Sequence, residues 1–154
     1  MEGKNGFDAV KIGDAVSVTK TVSESDAYLF AGITGDFHPI HVNEEFCRAT
    51  QFGRRLVHGA LSLGFLAAAA TKLAEMIGSP ESAPHRYDVR FRRPVFFGDT
   101  ITTTLRIVEK NPDTGDLMLE ATITNQAGET VTRGSASMRV RSGGCARPEA
   151  AVAS

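Results

Sequence analysis

One helical pattern followed by a long run of strand-like alternation limits the fold of this chain more than any other feature. Within residues 56–77, Leu61, Phe65, Ala69 and Leu73 share one stripe at four-residue steps. Gly64, Ala67 and Ala68 keep the adjoining positions thin, and nearly every residue from 60 to 70 is small or apolar. That composition predicts a helix buried on most sides and approached closely by a sheet, stopped by Gly78 and Pro80. Beyond it the chain alternates with period two. Tyr87, Val89 and Phe91 share one face, as do Ile101, Thr103, Leu105 and Ile107, then Leu117, Leu119, Ala121 and Ile123, before a last strand to about Val140. The turns between them read FFGD at 96–99, NPDTGD at 111–116 and QAGE at 126–129. A further strand at 14–22 sets Val16, Val18 and Val22 on one side. Strand–helix alternation of the doubly wound kind is missing, so the order predicts an α+β fold, a curved antiparallel sheet around one long helix.

The segment between the first strand and the long helix is irregular. Ser23 and Asp26 mark the start of a short helix carrying Tyr28, Leu29, Phe30 and Ile33, which Gly35 ends. Residues 36–41 (DFHPIH) then read as a loop stiffened by Pro39, and Asn43 caps a second short helix over 44–49. With 154 residues the chain holds one domain, 14–141, between a flexible arm at 1–13 and a disordered tail at 142–154. Seventeen basic against eighteen acidic side chains exclude whole-surface attraction to nucleic acid or anionic membrane. The apolar run at 61–70 is too short to span a bilayer, and two cysteines in no metal-binding spacing argue against a zinc site. A cytoplasmic protein without metal or redox cofactor is the expectation.

Chemistry-bearing residues concentrate in three places. Asp36 and His41, five positions apart on the proline-stiffened loop, suit general acid–base work on one small molecule; equally, Asp36 could cap the following turn and His41 simply pack. Gly59, at the mouth of the long helix, exposes an amide near the positive end of the helix dipole and lets a ligand oxygen approach; an ordinary helix start reads the same way. Beside it, His58 reads as a structural histidine and Ser62 as a ligand contact or a back-bonded core serine. The third is the run from Arg90 to Pro94, where Arg92 and Arg93, with Arg54 and Arg55 for company, suit phosphate or form a solvated face.

Taken in order, these segments resemble the MaoC-like dehydratases, and within them the (R)-specific enoyl-CoA hydratases. The family hallmark G-D-x-N-P-x-H is matched by residues 35–41 (GDFHPIH), with His38 where the family has Asn. Its h-G-x-L segment is matched by residues 58–61 (HGAL), and F-x-x-P-V-F-x-G-D by residues 91–99 (FRRPVFFGD). The resemblance implies a hotdog fold and a homodimer joined edge to edge. It also implies an acyl-CoA thioester substrate, Asp36 and His41 as the catalytic pair, and the Gly59 amide as oxyanion donor. The expected substrate contacts are Phe37, His38, His58, Ser62, Arg92 and Arg93, with Phe46 and Phe52 lining the acyl pocket. Alternatives are a hotdog thioesterase, disfavoured because Glu75 lies far along the helix, a non-catalytic acyl-CoA-binding module, and a metal site on Asp36, His38 and His41.

Overall fold

A computed structural model describes residues 6–141. Its five strands are β1 (Ala15–Thr21), β2 (Ala83–Phe91), β3 (Thr100–Asn111), β4 (Asp116–Thr124) and β5 (Thr130–Arg139), joined in one sheet in the order β1-β3-β4-β5-β2. Every pairing is antiparallel. The helices are α1 (Glu24–Thr34), α2 (Pro39–Val42), α3 (Glu44–Arg48) and α4 (Leu61–Ile77). This is the expected hotdog arrangement, a curved sheet against one long helix.

The period-two pattern sets the register. Leu105 lies opposite Ala121 and Ile107 opposite Leu119, all buried, so a one-residue slip would turn both apolar faces into water. On the other face, hydroxyls pair across β1 and β3: Ser17 with Thr104 at 2.8 Å, Thr19 with Thr102 at 3.0 Å and Thr21 with Thr100 at 2.7 Å. Gly134 of β5 is where β2 comes closest. A side-chain carbon there would sit 2.0 Å from the Asp88 carbonyl oxygen, so only glycine allows this approach.

Helix α4 departs from expectation in two ways. Its buried residues are Ser62, Leu66, Ala69, Ala70, Leu73, Ala74 and Ile77, whereas Gly64, Ala67 and Ala68 are exposed and Leu61 and Phe65 are half-buried. The sheet therefore covers one face of the rod, and the thin positions point away from it. The helix also starts at Leu61, not at 56. The Val57 amide donates to the Val95 carbonyl at 2.8 Å and Leu56 bridges Phe96, so this stretch is committed to sheet-like pairing.

The described part of the N-terminal arm, from residue 6 on, is built into the fold. Residues 6–9 form a 3-10 turn, Val10 enters the core, and the Lys110 ammonium donates to the carbonyls of Phe7 at 2.7 Å and Val10 at 2.5 Å. Apolar Phe7 and Val10 outweigh the surrounding glycines. The tail expected at 142–154, with Cys145, lies outside the described residues.

Candidate active site

The Ser23 hydroxyl and Asp26 carboxylate form a reciprocal capping box at the start of α1. Gly35 ends the helix in the left-handed region at φ 78°, which sends the chain sharply into Asp36. Residues 39–42, expected as loop, make a helical turn instead. Pro39 supplies the first position, and the His38 ring accepts the Ile40 N–H at 3.2 Å through Nδ1. The His38 amide donates to the Asp36 carboxylate at 3.3 Å, while its carbonyl accepts from the His41 amide at 2.9 Å. One residue thus ties the two halves of the Asp–His pair together.

Side-chain ligand atoms of Asp36, His41 and His58 lie within 4.8 Å of one another. His41 Nδ1 is 2.8 Å from the Leu56 carbonyl, which only accepts, so the proton resides on Nδ1 and Nε2 keeps a free lone pair. Burial holds the His41 pKa below the usual histidine value, and His58 and His38 push it the same way, against the Leu56 carbonyl and the Asp36 carboxylate. A neutral imidazole with an open Nε2 beside a carboxylate has the chemistry to act as a general base. The His41 and His58 rings are stacked, their centroids 3.8 Å apart and their planes at 28°.

Next to this cluster, α4 opens with three tight turns: the amides of residues 61, 62 and 63 donate to the carbonyls of 58, 59 and 60 at 3.1, 3.0 and 3.1 Å. The Gly59 amide, just ahead of them at the positive end of the helix, donates to no partner among the described residues. A side-chain carbon on Gly59 would come within 3.2 Å of the Phe91 ring. Around this tip lies a cavity of about 280 Å³ lined by Phe52, Leu56, Val57, His58, Gly59 and Ser62 from one side. Phe91, Arg92, Arg93, Pro94, Val95 and Thr132 complete it from the other. Asp36 and His41 are not themselves in the lining but adjoin it through His58 and Leu56. Arg92 and Arg93 also belong to a second, basic cleft of about 530 Å³ with Arg90, Thr130 and Arg133.

Of the expected substrate contacts, His58, Ser62, Arg92 and Arg93 line the cavity, as does Phe52. Phe37 does not. It is 56% exposed, because the turn after Gly35 points it outward. His38 is exposed and spent on its cap, and Phe46 lies outside the cavity with its ring edge toward His38. Arg55 is no companion to Arg92 and Arg93. It pairs with Glu24 at 2.5 Å and Glu44 at 3.0 Å, while Arg54 stacks on Phe96 at 3.8 Å. Thr132 and Arg133 escaped the sequence reading. Only the β2–β5 register, which sets them opposite Phe91 and Arg90, brings them to the site. Glu75 is exposed on α4, roughly 21 Å along the helix from its start at 1.5 Å per residue.

The family model described as MaoC like domain matches residues 9–129. An (R)-specific enoyl-CoA hydratase of Rhodospirillum rubrum is 37% identical over 134 residues, covering 87% of this chain and 90% of its relative. A 3-hydroxybutyryl-CoA dehydratase of Methylorubrum extorquens is 33% identical over 107 residues, 70% of this chain and 66% of that one. Among solved structures, the unliganded R-hydratase PhaJ1 of Pseudomonas aeruginosa superposes with a TM-score of 0.81 at 29% identity, over 91% of this chain and 88% of the other.

Proposed function

The chain belongs to the MaoC-like domain family, and from that premise and the site we propose that it is an (R)-specific enoyl-CoA hydratase, adding water reversibly to a trans-2-enoyl-CoA. The enzyme is a hydro-lyase. The observation that carries the reading is the convergence of the Asp36 carboxylate and the His41 imidazole, which adjoin the cavity at the helix tip through His58 and Leu56.

The thioester withdraws electrons from the C2=C3 bond, so C3 accepts a nucleophile while charge gathers on the carbonyl oxygen. Asp36 and His41 hold one water between them. A proton passes from that water to the pair as the oxygen bonds to C3, and the pair delivers a proton to C2. Such assistance supplies about 10²–10⁴ in rate. The oxyanion meets the Gly59 N–H, one donor of a kind worth about 10²–10³.

The cavity walled by Phe52, Val57 and Val95 takes the acyl group. Arg92 and Arg93, with Arg90 and Arg133, meet the CoA phosphates in the adjoining basic cleft. Two copies join through the outer strand β2, whose Tyr87 and Val89 are only half-buried in one chain. The test is a panel of enoyl-CoAs of graded length with chiral analysis of the product. Loss of enoyl absorbance with formation of the (R)-3-hydroxyacyl-CoA is expected. Release of free CoA thiol instead, or binding without turnover, would overturn the proposal.

A further inference from the structure

We propose that His58 is a positioning residue for the Asp36–His41 pair, fixing the Asp36 main chain through its Nε2–H and giving His41 a flat ring face to lie on. The ring is 2% exposed and touches three separate parts of the fold. Its Nε2 is 2.9 Å from the Asp36 carbonyl, its face stacks on His41 at 3.8 Å, and Phe30 of α1 tilts against it at 4.9 Å. Because a carbonyl only accepts, Nε2 carries the proton and Nδ1 is left as an acceptor.

That Nδ1 is buried without a partner among the described residues. An orphaned buried acceptor is costly, and packing alone does not call for it, since phenylalanine would fill the same space without one. Nor does the hydrogen bond alone call for a ring, since a glutamine amide reaches about as far as Nε2. Histidine supplies both the donor and an aromatic face within one small ring, where tryptophan and tyrosine carry their donors on larger ring systems, so the unpartnered nitrogen marks a position held for both.

The contact also bears on proton affinity. The titratable groups acting on His41 are His58 and His38, which disfavour its cation, and Asp36, which favours it, while the Leu56 carbonyl accepts its Nδ1–H. Removing His58 takes away one of the disfavouring groups and opens the ring to water.

The rate consequences rest on the hydratase reading, but the titration does not. In His58→Phe the stack survives and the donor is lost. On the alkaline plateau, kcat is expected to fall about 10- to 100-fold with KM within about twofold, the size of one hydrogen bond lost beside a reacting group. His58→Gln restores the donor and should recover kcat to within about threefold of wild type. In that variant the His41 imidazole, followed by NMR in the ligand-free protein, should titrate higher than in wild type. Wild-type kcat in His58→Phe, or equal losses in both variants, would overturn the donor role. An unmoved His41 titration in His58→Gln would overturn the stacking role. If wild type hydrates no enoyl-CoA, the functional reading fails, while the NMR titration still decides whether His58 governs His41.

Discussion

Replacing Asp36 by asparagine separates chemistry from architecture at this site. Asp36 is exposed, and its carboxylate accepts one long hydrogen bond, from the His38 amide at 3.3 Å. The asparagine carbonyl oxygen can accept the same bond, so the turn into α2 should persist, with stability changed by no more than about 0.5 kcal/mol. For a chain of this length that is a melting shift of about 2 °C or less. Activity should behave otherwise. Losing the charge removes one of the two groups that hold and deprotonate water, a loss of about 10²–10⁴ in kcat, or about 2.7–5.5 kcal/mol in the barrier. His41 reports on the same change. The Asp36 carboxylate raises its pKa, so in Asp36→Asn the imidazole should titrate still lower than in wild type. Because the native value lies below the ordinary 6.5, the linked stability is present above that pH and is lost as pH falls through it toward the native value. Decay of enoyl-thioester absorbance at saturating substrate, a thermal melt and an NMR titration read the three effects. A kcat within about fivefold of wild type would refute the role given to the carboxylate, and a melting drop beyond about 5 °C would refute the claim that its charge leaves the fold alone.

Gly59→Ala should fold, because the exposed Phe91 ring can yield the few tenths of an ångström its 3.2 Å contact demands; the displaced ring should still lower kcat by about tenfold or more, and unchanged kinetics would contradict the placement of the oxyanion donor. Gly134→Ala meets backbone at 2.0 Å and should cost about 1–3 kcal/mol or more in a denaturant titration. Charge reversal at Arg92 and Arg93 should raise KM for CoA thioesters and leave a pantetheine thioester lacking the nucleotide unaffected. Equal effects on both substrates would move the phosphate site elsewhere. Away from the site, Asp116 is held down to about 2, chiefly by its paired bonds to Arg139 at 2.9 Å each. Its contribution is complete above the ordinary 3.8 and fades as pH falls toward about 2, and Arg139→Ala should return the carboxyl toward its ordinary value by NMR.

Local signals were legible where one residue type had one physical meaning. The alternation around Leu105 and Leu119 placed the buried sheet face, Ser23 and Asp26 marked the start of α1, and the GDFHPIH segment pointed to Asp36 and His41. What misled was apolarity without a side. The run from 60 to 70 is small or apolar all round, so composition could not say that Ser62 and Leu66 would face the sheet while Gly64 and Ala67 would not. The helix start was misplaced for a related reason, since Val57 follows the helical pattern yet spends its amide on Val95, 38 positions away.

The chain alone determined the alternation, the stop signals and the chemical types gathered near Gly35 and Gly59, because these depend on near neighbours and on the geometry of single residues. Tertiary structure decided which groups meet: the Leu56 carbonyl that sets the His41 tautomer, the His58 ring beneath it, and Thr132, which closes the cavity opposite Phe91. Those contacts join residues distant in sequence through backbone atoms and strand register, which leave no mark on the identity of a side chain.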